Sequence, residues 1–375
     1  MHARELYLYI LCSILLLGII SFRQSSAGQI VLPEGPSRRI AEVSRSLAER
    51  ASFSPLEFSQ IAEEAKLAAR MAHKSFWQDA FSVGRGGDLL PKHSVFSTVF
   101  AVPFVLIFGE NGFAVCQFFI VLLLLIAVYC RANQFTGKDT WVVSLWSLVL
   151  IPILGFHGYT YIFDSNVHEA ALVAMSLAMM QSFPVASGSL LGLTLFVRPS
   201  NVLWIIVVSV AATVRKSAVY DVRKFFLGLG VALLLYSVVM FLWYGQPFTS
   251  PYGHLPIINE NGQLQNFSHP IGFDFRIFVS QWGDKLFSFE QGILGTAPIL
   301  FFLPITLVAD FMRAKKKLSE DVVIQAGLMF FLGFIFSYPH WSSTKGGNRF
   351  LIAPAVIYFP YFVRYLYCSL KGSAK

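Results

Sequence analysis

Apolar residues along this chain come in long runs rather than in strict alternation. Six runs, Leu6–Phe22, Gly112–Cys130, Phe225–Trp243, Gly292–Asp310, Val322–Tyr338 and Phe350–Cys368, reach bilayer length, roughly 17–25 residues. Shorter apolar stretches lie between them. Together they predict an all-α, polytopic transmembrane protein with about ten crossings. These fall near 6–22, 111–130, 141–156, 169–183, 186–197, 201–214, 225–243, 291–310, 322–338 and 350–368. The break between 186–197 and 201–214 is placed at Arg198-Pro199, because proline lacks an N–H and disfavours helix at the residue before it.

Basic residues fix the direction of the crossings, since they gather at the cytoplasmic ends of short loops. Arg4, Arg131, Lys138, Arg215, Lys216, Arg223, Lys224, Arg313, Lys315–Lys317, Lys371 and Lys375 share one side if Ser94–Phe108 does not cross. That segment is short and carries Pro103 in its middle, so an interfacial or re-entrant helix is expected. Loops 23–110, 157–168, 244–290 and 339–349 then face the non-cytoplasmic side.

The first of these loops holds a small helical region. Ser54-Pro55-Leu56-Glu57 is a capping box with proline at the first helical position, and Phe58, Ile61, Ala65 and Ala68 follow at helical spacing. Ile40, Val43 and Leu47 form a similar stripe before it. Both helices are expected to lie flat on the bilayer with the apolar side down; packing on each other is the alternative.

Composition agrees with the membrane class. Of 375 residues, 55% are hydrophobic and only 13% are charged, about half the charged fraction of a soluble domain. Mean hydropathy is +0.60. The net charge of +8 does not point to nucleic acid, because the cations cluster at helix ends. Cys12, Cys116, Cys130 and Cys368 fall in or at the ends of apolar spans, so neither a disulfide framework nor a metal site is expected. The N-terminal apolar run is longer than the 7–15 residues of a signal-peptide core, and an uncleaved first helix is expected. Asn266-Phe267-Ser268 matches a glycosylation sequon, a weak signal.

Polar groups beside a membrane are costly unless paired or functional, and the expected outer side is rich in them. Loop one carries Glu34, Arg38, Arg39, Asp88, Lys92 and His93; loop two carries His157, Asp164, His168 and Glu169. Later come Tyr252, His254, Glu290, His340, Lys345 and Arg349, with Arg198 at the helix break. Acids beside cations suit a site that binds a phosphate and activates a hydroxyl.

Several stretches carry a resemblance in chain order. They are Leu32-Pro33-Glu34-Gly35 with Arg39-Ile40-Ala41, then Gly87-Asp88-Leu89-Leu90-Pro91-Lys92-His93, and Tyr244-Gly245-Gln246-Pro247 with Ser250-Pro251-Tyr252-Gly253. Phe289-Glu290-Gln291-Gly292 and Lys345-Gly346-Gly347-Asn348-Arg349-Phe350-Leu351 follow. The order resembles the GT-C class of integral membrane glycosyltransferases, of the protein O-mannosyltransferase and aminoarabinose transferase type, over nearly the whole chain. Two departures stand out. The first-loop acid is Glu34 where the class usually has aspartate, and loop two lacks a paired acidic motif, having Asp164 and then Glu169. A large C-terminal soluble domain is also missing, so residues 1–375 read as one membrane domain.

The resemblance implies a polyprenyl-phosphate-linked sugar as donor, with membrane lipids as surroundings. It implies transfer with inversion to an acceptor hydroxyl on the non-cytoplasmic face, in a bacterial plasma membrane. Glu34 is the first expectation for the base, with Asp88 and Asp164 behind it. Lys92, His93, Arg198, Lys345 and Arg349 are expected to bind the donor phosphate. His168, Glu169, Tyr252 and Glu290 are expected to orient substrate, and no metal or other cofactor is called for. Competing readings are a transporter or flippase of lipid-linked saccharides and a non-catalytic scaffold. The first would show charges spread through several helices and a repeat between halves, and neither pattern is visible.

Overall fold

The computed structural model describes residues 3–25, 36–50, 81–85, 89–136, 150, 163–215, 220–258, 264–267, 275–289, 292–315, 317–337 and 349–372. Helices dominate them: α1 (Ala3–Ser25), α2 (Pro36–Arg50), α3 (Val95–Phe108), α4 (Gly112–Thr136), α5 (Ser165–Met179), α6 (Pro184–Leu193) and α7 (Val202–Val214). Then come α8 (Val222–Tyr244), α9 (Phe275–Phe287), α10 (Ile293–Thr296), α11 (Leu303–Arg313), α12 (Glu320–Phe336) and α13 (Ile352–Gly372). Among the described residues, Val95–Thr136, Val222–Tyr244 and Arg349–Ser369 are apolar and long enough to cross a membrane. Leu6–Gly18, Pro184–Phe196 and Pro199–Val214 are shorter apolar helices.

Helices α4, α5 and α13 pack together at the centre, with α6 and α8 on one flank and α7 and α12 on another. Close approach on the first flank requires glycine. A Cβ on Gly188 would stand 2.0 Å from the Phe225 carbonyl oxygen, and one on Gly228 would stand 2.0 Å from that of Val185. Small residues of this kind let helix backbones touch where the hydrophobic effect gives no drive to associate.

The bundle has two chemically distinct ends. At one, Arg131 of α4 donates to Glu320 of α12 at 2.6 Å and to the Tyr361 hydroxyl of α13 at 3.1 Å. Arg215, just past α7, lies 2.8 Å from the same Glu320. Arg364 donates to Asp321 at 2.5 Å and also reaches Asp310, which accepts from Gln325 at 2.5 Å. Three arginines and three carboxylates, each from a helix terminus or its last turns, thus form one clasp. Arg313 lies beside Asp310 at 3.2 Å. Of the basic helix ends that set the expected orientation, Arg131, Arg215 and Arg313 gather at this end of the bundle.

Four local features differ from the sequence expectation or refine it. Two antiparallel hairpins accompany the helices: β1 (Phe81–Val83) pairs with β2 (Leu89–Pro91), and β3 (Leu255–Ile258) pairs with β4 (Leu264–Phe267). The apolar side of α2 is not turned to lipid: Ile40, Ala41 and Val43 are buried, with Ile40 and Ala41 in a cluster with Ala101, Val105 and Phe113. Arg45 pins α2 further, pairing with Glu42 and Glu110 at 2.6 Å each. Helix α3 packs on the first turns of α4, through Phe100 and Phe104 against Phe119. Finally, the apolar run 292–310 is not one helix. It breaks into α10, a 3-10 stretch Pro298–Phe302 and α11, because Pro298 and Pro304 withhold the backbone donors a continuous helix needs. The capping-box helix near 54–70 and the run 141–156, apart from Leu150, lie outside the described residues.

Candidate functional site

Opposite the clasp, the starts of α5, α7 and α13 bring charged residues together. Asp164 caps α5, and its Oδ1 accepts from the Asn166 backbone at 2.7 Å and side chain at 2.5 Å. Its own N–H donates to Gln117 of α4 at 3.4 Å. An aspartate here serves two purposes, since it satisfies an orphan helix N–H and adds a negative charge at the positive end of the helix dipole. Its Oδ2 lies 4.0 Å from Arg349. Burial alone would push the Asp164 carboxyl up, but Arg349, the two Asn166 bonds and Arg198 outweigh it and hold it below the usual carboxylate range.

One turn along α5, the buried His168 shares a 2.7 Å hydrogen bond with Ser97 of α3, whose hydroxyl also accepts from Ser94 at 2.5 Å. Phe96, Phe100 and Phe163 stand edge-on around the imidazole. The next residue, Glu169, accepts the Trp204 indole N–H at 3.2 Å and lies 3.9 Å from Arg198.

Arg198 sits in extended backbone between the 3-10 turns Thr194–Phe196 and Pro199–Asn201. The helix is interrupted there as Pro199 dictates, and the interruption carries the guanidinium into the site. Arg198 and Arg349 both lie over the Phe350 ring, at 5.1 and 5.5 Å. Their side chains are only 17% and 12% exposed. Both Nε atoms are buried without a hydrogen-bond partner among the described residues. Docked arginine–carboxylate pairs close to about 2.7–2.9 Å. At 3.9 and 4.0 Å the two guanidiniums balance the carboxylates in charge without docking on them.

A second group adjoins this one. Lys92, at the end of β2, is buried with its ammonium 6.0 Å over the Tyr252 ring, and His93 shares a 3.1 Å hydrogen bond with the Tyr252 hydroxyl. Lys92, Ser94, Phe196, Pro199, Tyr236 and Tyr252 are among the residues lining a small, mostly apolar pocket. Backbone 196–199 belongs to both groups, and Ser94 links the pocket to His168 through Ser97. The hairpins hold this side in place: Val83 N–H donates to the His254 carbonyl at 3.1 Å, and Ser82 shares a 2.6 Å hydrogen bond with Tyr244.

Asp164, His168, Glu169, Arg198 and Arg349 thus converge, and Lys92, His93 and Tyr252 form the neighbouring group. Glu34, Asp88, Glu290 and Lys345 lie outside the described residues. Sequence reasoning passed over Gln117, Ser97, Trp204 and Phe350. A lone glutamine inside the apolar run 112–130 is a readable signal, because such a group in a membrane is usually hydrogen-bonded for a reason. Nothing in the apolar run around Trp204 marks that tryptophan as a partner of Glu169. Among the described residues no group of three or more His, Cys, Asp or Glu side chains is placed to hold a metal. Comparison with protein-family models, curated proteins and solved structures returned no match.

Proposed function

We propose that this chain is a multi-pass membrane glycosyltransferase of about ten crossings, acting on a polyprenyl-phosphate-linked sugar at the non-cytoplasmic face of a bacterial plasma membrane. One observation carries the reading: two largely buried guanidiniums share the Phe350 ring and stand 3.9 and 4.0 Å from two buried carboxylates without docking on them. Such a pair suits a phosphate whose negative charge grows as it leaves. Asp164, held ionised by its cationic neighbours, is the base among the described residues, and Glu34 remains the base the GT-C resemblance implies. The acceptor hydroxyl gives its proton to the carboxylate, and its oxygen attacks the anomeric carbon as the sugar–phosphate bond breaks. The phosphate departs with the bonding electrons, and the configuration inverts.

The test uses full-length protein in proteoliposomes with a radiolabelled polyprenyl-phosphate sugar. Asp164→Asn keeps a good helix cap and removes the base, so transfer is expected to fall about a hundredfold or more at unchanged protein abundance. Arg349→Lys, which cannot offer a planar fork, is expected to weaken donor use. Wild-type protein that moves the lipid between leaflets with the sugar–phosphate bond intact would overturn the proposal in favour of a transporter.

A further inference from the structure

Helix α9 is the element least explained by the site. Its 13 residues span about 20 Å at 1.5 Å per residue, short of a hydrocarbon core of about 30 Å, and unlike the equally short α7 it carries Arg276, Asp284 and Lys285. Its position is nevertheless fixed. Lys285 is buried and donates to the carbonyl of Phe336, the last residue of α12, and Leu286 packs on the main core. That end of α12 is the site end: Phe331 contacts Trp204 at 4.4 Å between ring centroids, and Trp204 holds Glu169.

Around the helix axis, at 100° per residue, three sectors follow one another. Lys285 faces the bundle. Next to it on the helix lie Trp282, Leu286 and Val279, and of these Val279 and Trp282 are more than half exposed, as is Phe289 just beyond the helix. On the remaining side the exposed residues are Arg276, Ser280 and Asp284, joined at the helix end by Phe287, with Gln281 between them and Lys285. A helix with one side on protein, one apolar and aromatic side open and one polar side open matches the boundary between lipid headgroups and acyl chains. There tryptophan and phenylalanine sit below the polar groups and charges remain in water.

We infer that α9 lies in the plane of the membrane, with Trp282 and Val279, and Phe289 just beyond the helix, immersed at headgroup–acyl depth in the leaflet at the site end, so that it sets the height of the arginine–carboxylate site. The inference rests on the membrane reading and not on the transferase chemistry. Its occupant is the lipid surface; a second copy of the chain is the competing outcome.

Spin labels placed at Trp282→Cys, Ser280→Cys and Leu234→Cys in a cysteine-free chain, reconstituted in nanodiscs of phosphatidylethanolamine and phosphatidylglycerol, test it. Position 282 should be more accessible to oxygen than to a water-soluble nickel chelate, at a depth of about 5–10 Å; position 280 should show the reverse. Leu234, exposed on the long apolar α8, should sit deeper than both. A water-accessible label at 282 with a buried label at 234 overturns the inference alone; water at both overturns the membrane reading as well. Spin–spin broadening at 282 would mean a second copy covers the face and would also overturn it. If the cysteine-free chain does not fold, brominated-lipid quenching of tryptophan fluorescence substitutes. Wild type should then lose more signal than Trp282→Phe, and equal losses refute the placement.

Discussion

Replacing Glu320 by glutamine is the sharpest probe of what holds the bundle together. The carboxylate of Glu320 faces Arg131 at 2.6 Å and Arg215 at 2.8 Å. Arg131 is only 4% exposed and Glu320 13%, so solvent can rescue neither charge. Glutamine keeps the shape and removes the charge, leaving Arg131 with Asp321 at 3.6 Å as its remaining acidic partner. Breaking a buried ion pair from one side costs about 3–5 kcal/mol. The chain unfolded within a membrane or micelle also finds polar partners, which moves the expectation to the lower end, about 3 kcal/mol. The assay is unfolding of the purified protein by added sodium dodecyl sulfate in mixed micelles, followed by circular dichroism. Arg215→Gln should cost less than Glu320→Gln, because Arg131 keeps its partner. A Glu320→Gln protein within about 0.5 kcal/mol of wild type, the range of a neutral surface change, would refute the view that the clasp holds these helices.

Further outcomes follow from the site and the packing. Trp204→Phe removes the indole donor from Glu169 and should lower transfer about tenfold, for about 1–1.5 kcal/mol of a lost hydrogen bond, measured as initial rate in proteoliposomes. Asp164 has a folded-state pKa below its unfolded value, so its contribution to stability is complete above about pH 4 and is lost as pH falls through the lower folded value. Transfer should accordingly show no acid limb from this group between pH 5 and 8, and a rate that halves near pH 6 would assign the base elsewhere. Gly188→Val would drive a side chain into the Phe225 carbonyl and should cost about 1–3 kcal/mol or more, read in the same detergent titration. Cysteines at Arg276 and Lys317, both exposed, should be labelled by an impermeant maleimide from opposite sides of sealed vesicles.

The helical class was legible because apolar runs of membrane length leave few alternatives: in hydrocarbon, backbone groups must bond within their own segment. Local stereochemistry was legible too. Pro199 announced the break that carries Arg198, and Pro298 and Pro304 break 292–310, though the length of that run alone predicted one helix. Periodicity misled at α2, since a stripe such as Ile40 and Val43 declares that something apolar covers it but cannot say whether lipid or α3 does so. In the site, Asp164, His168, Glu169, Arg198 and Arg349 could each be named as polar residues near a membrane face.

Their convergence could not be read in this way. Residue type and spacing along one chain determine which segments are helical, where they break and which end of each carries charge. Those terms depend on local backbone geometry and on transfer from water. Which helix ends meet depends on contacts between segments distant in sequence. Glycines 188 and 228 admit α8, the clasp ties α4, α7, α12 and α13, and Gln117 of α4 accepts the Asp164 backbone N–H while Trp204 of α7 donates to Glu169. Only the packed bundle places Arg198 and Arg349 on one aromatic ring, each facing a buried carboxylate.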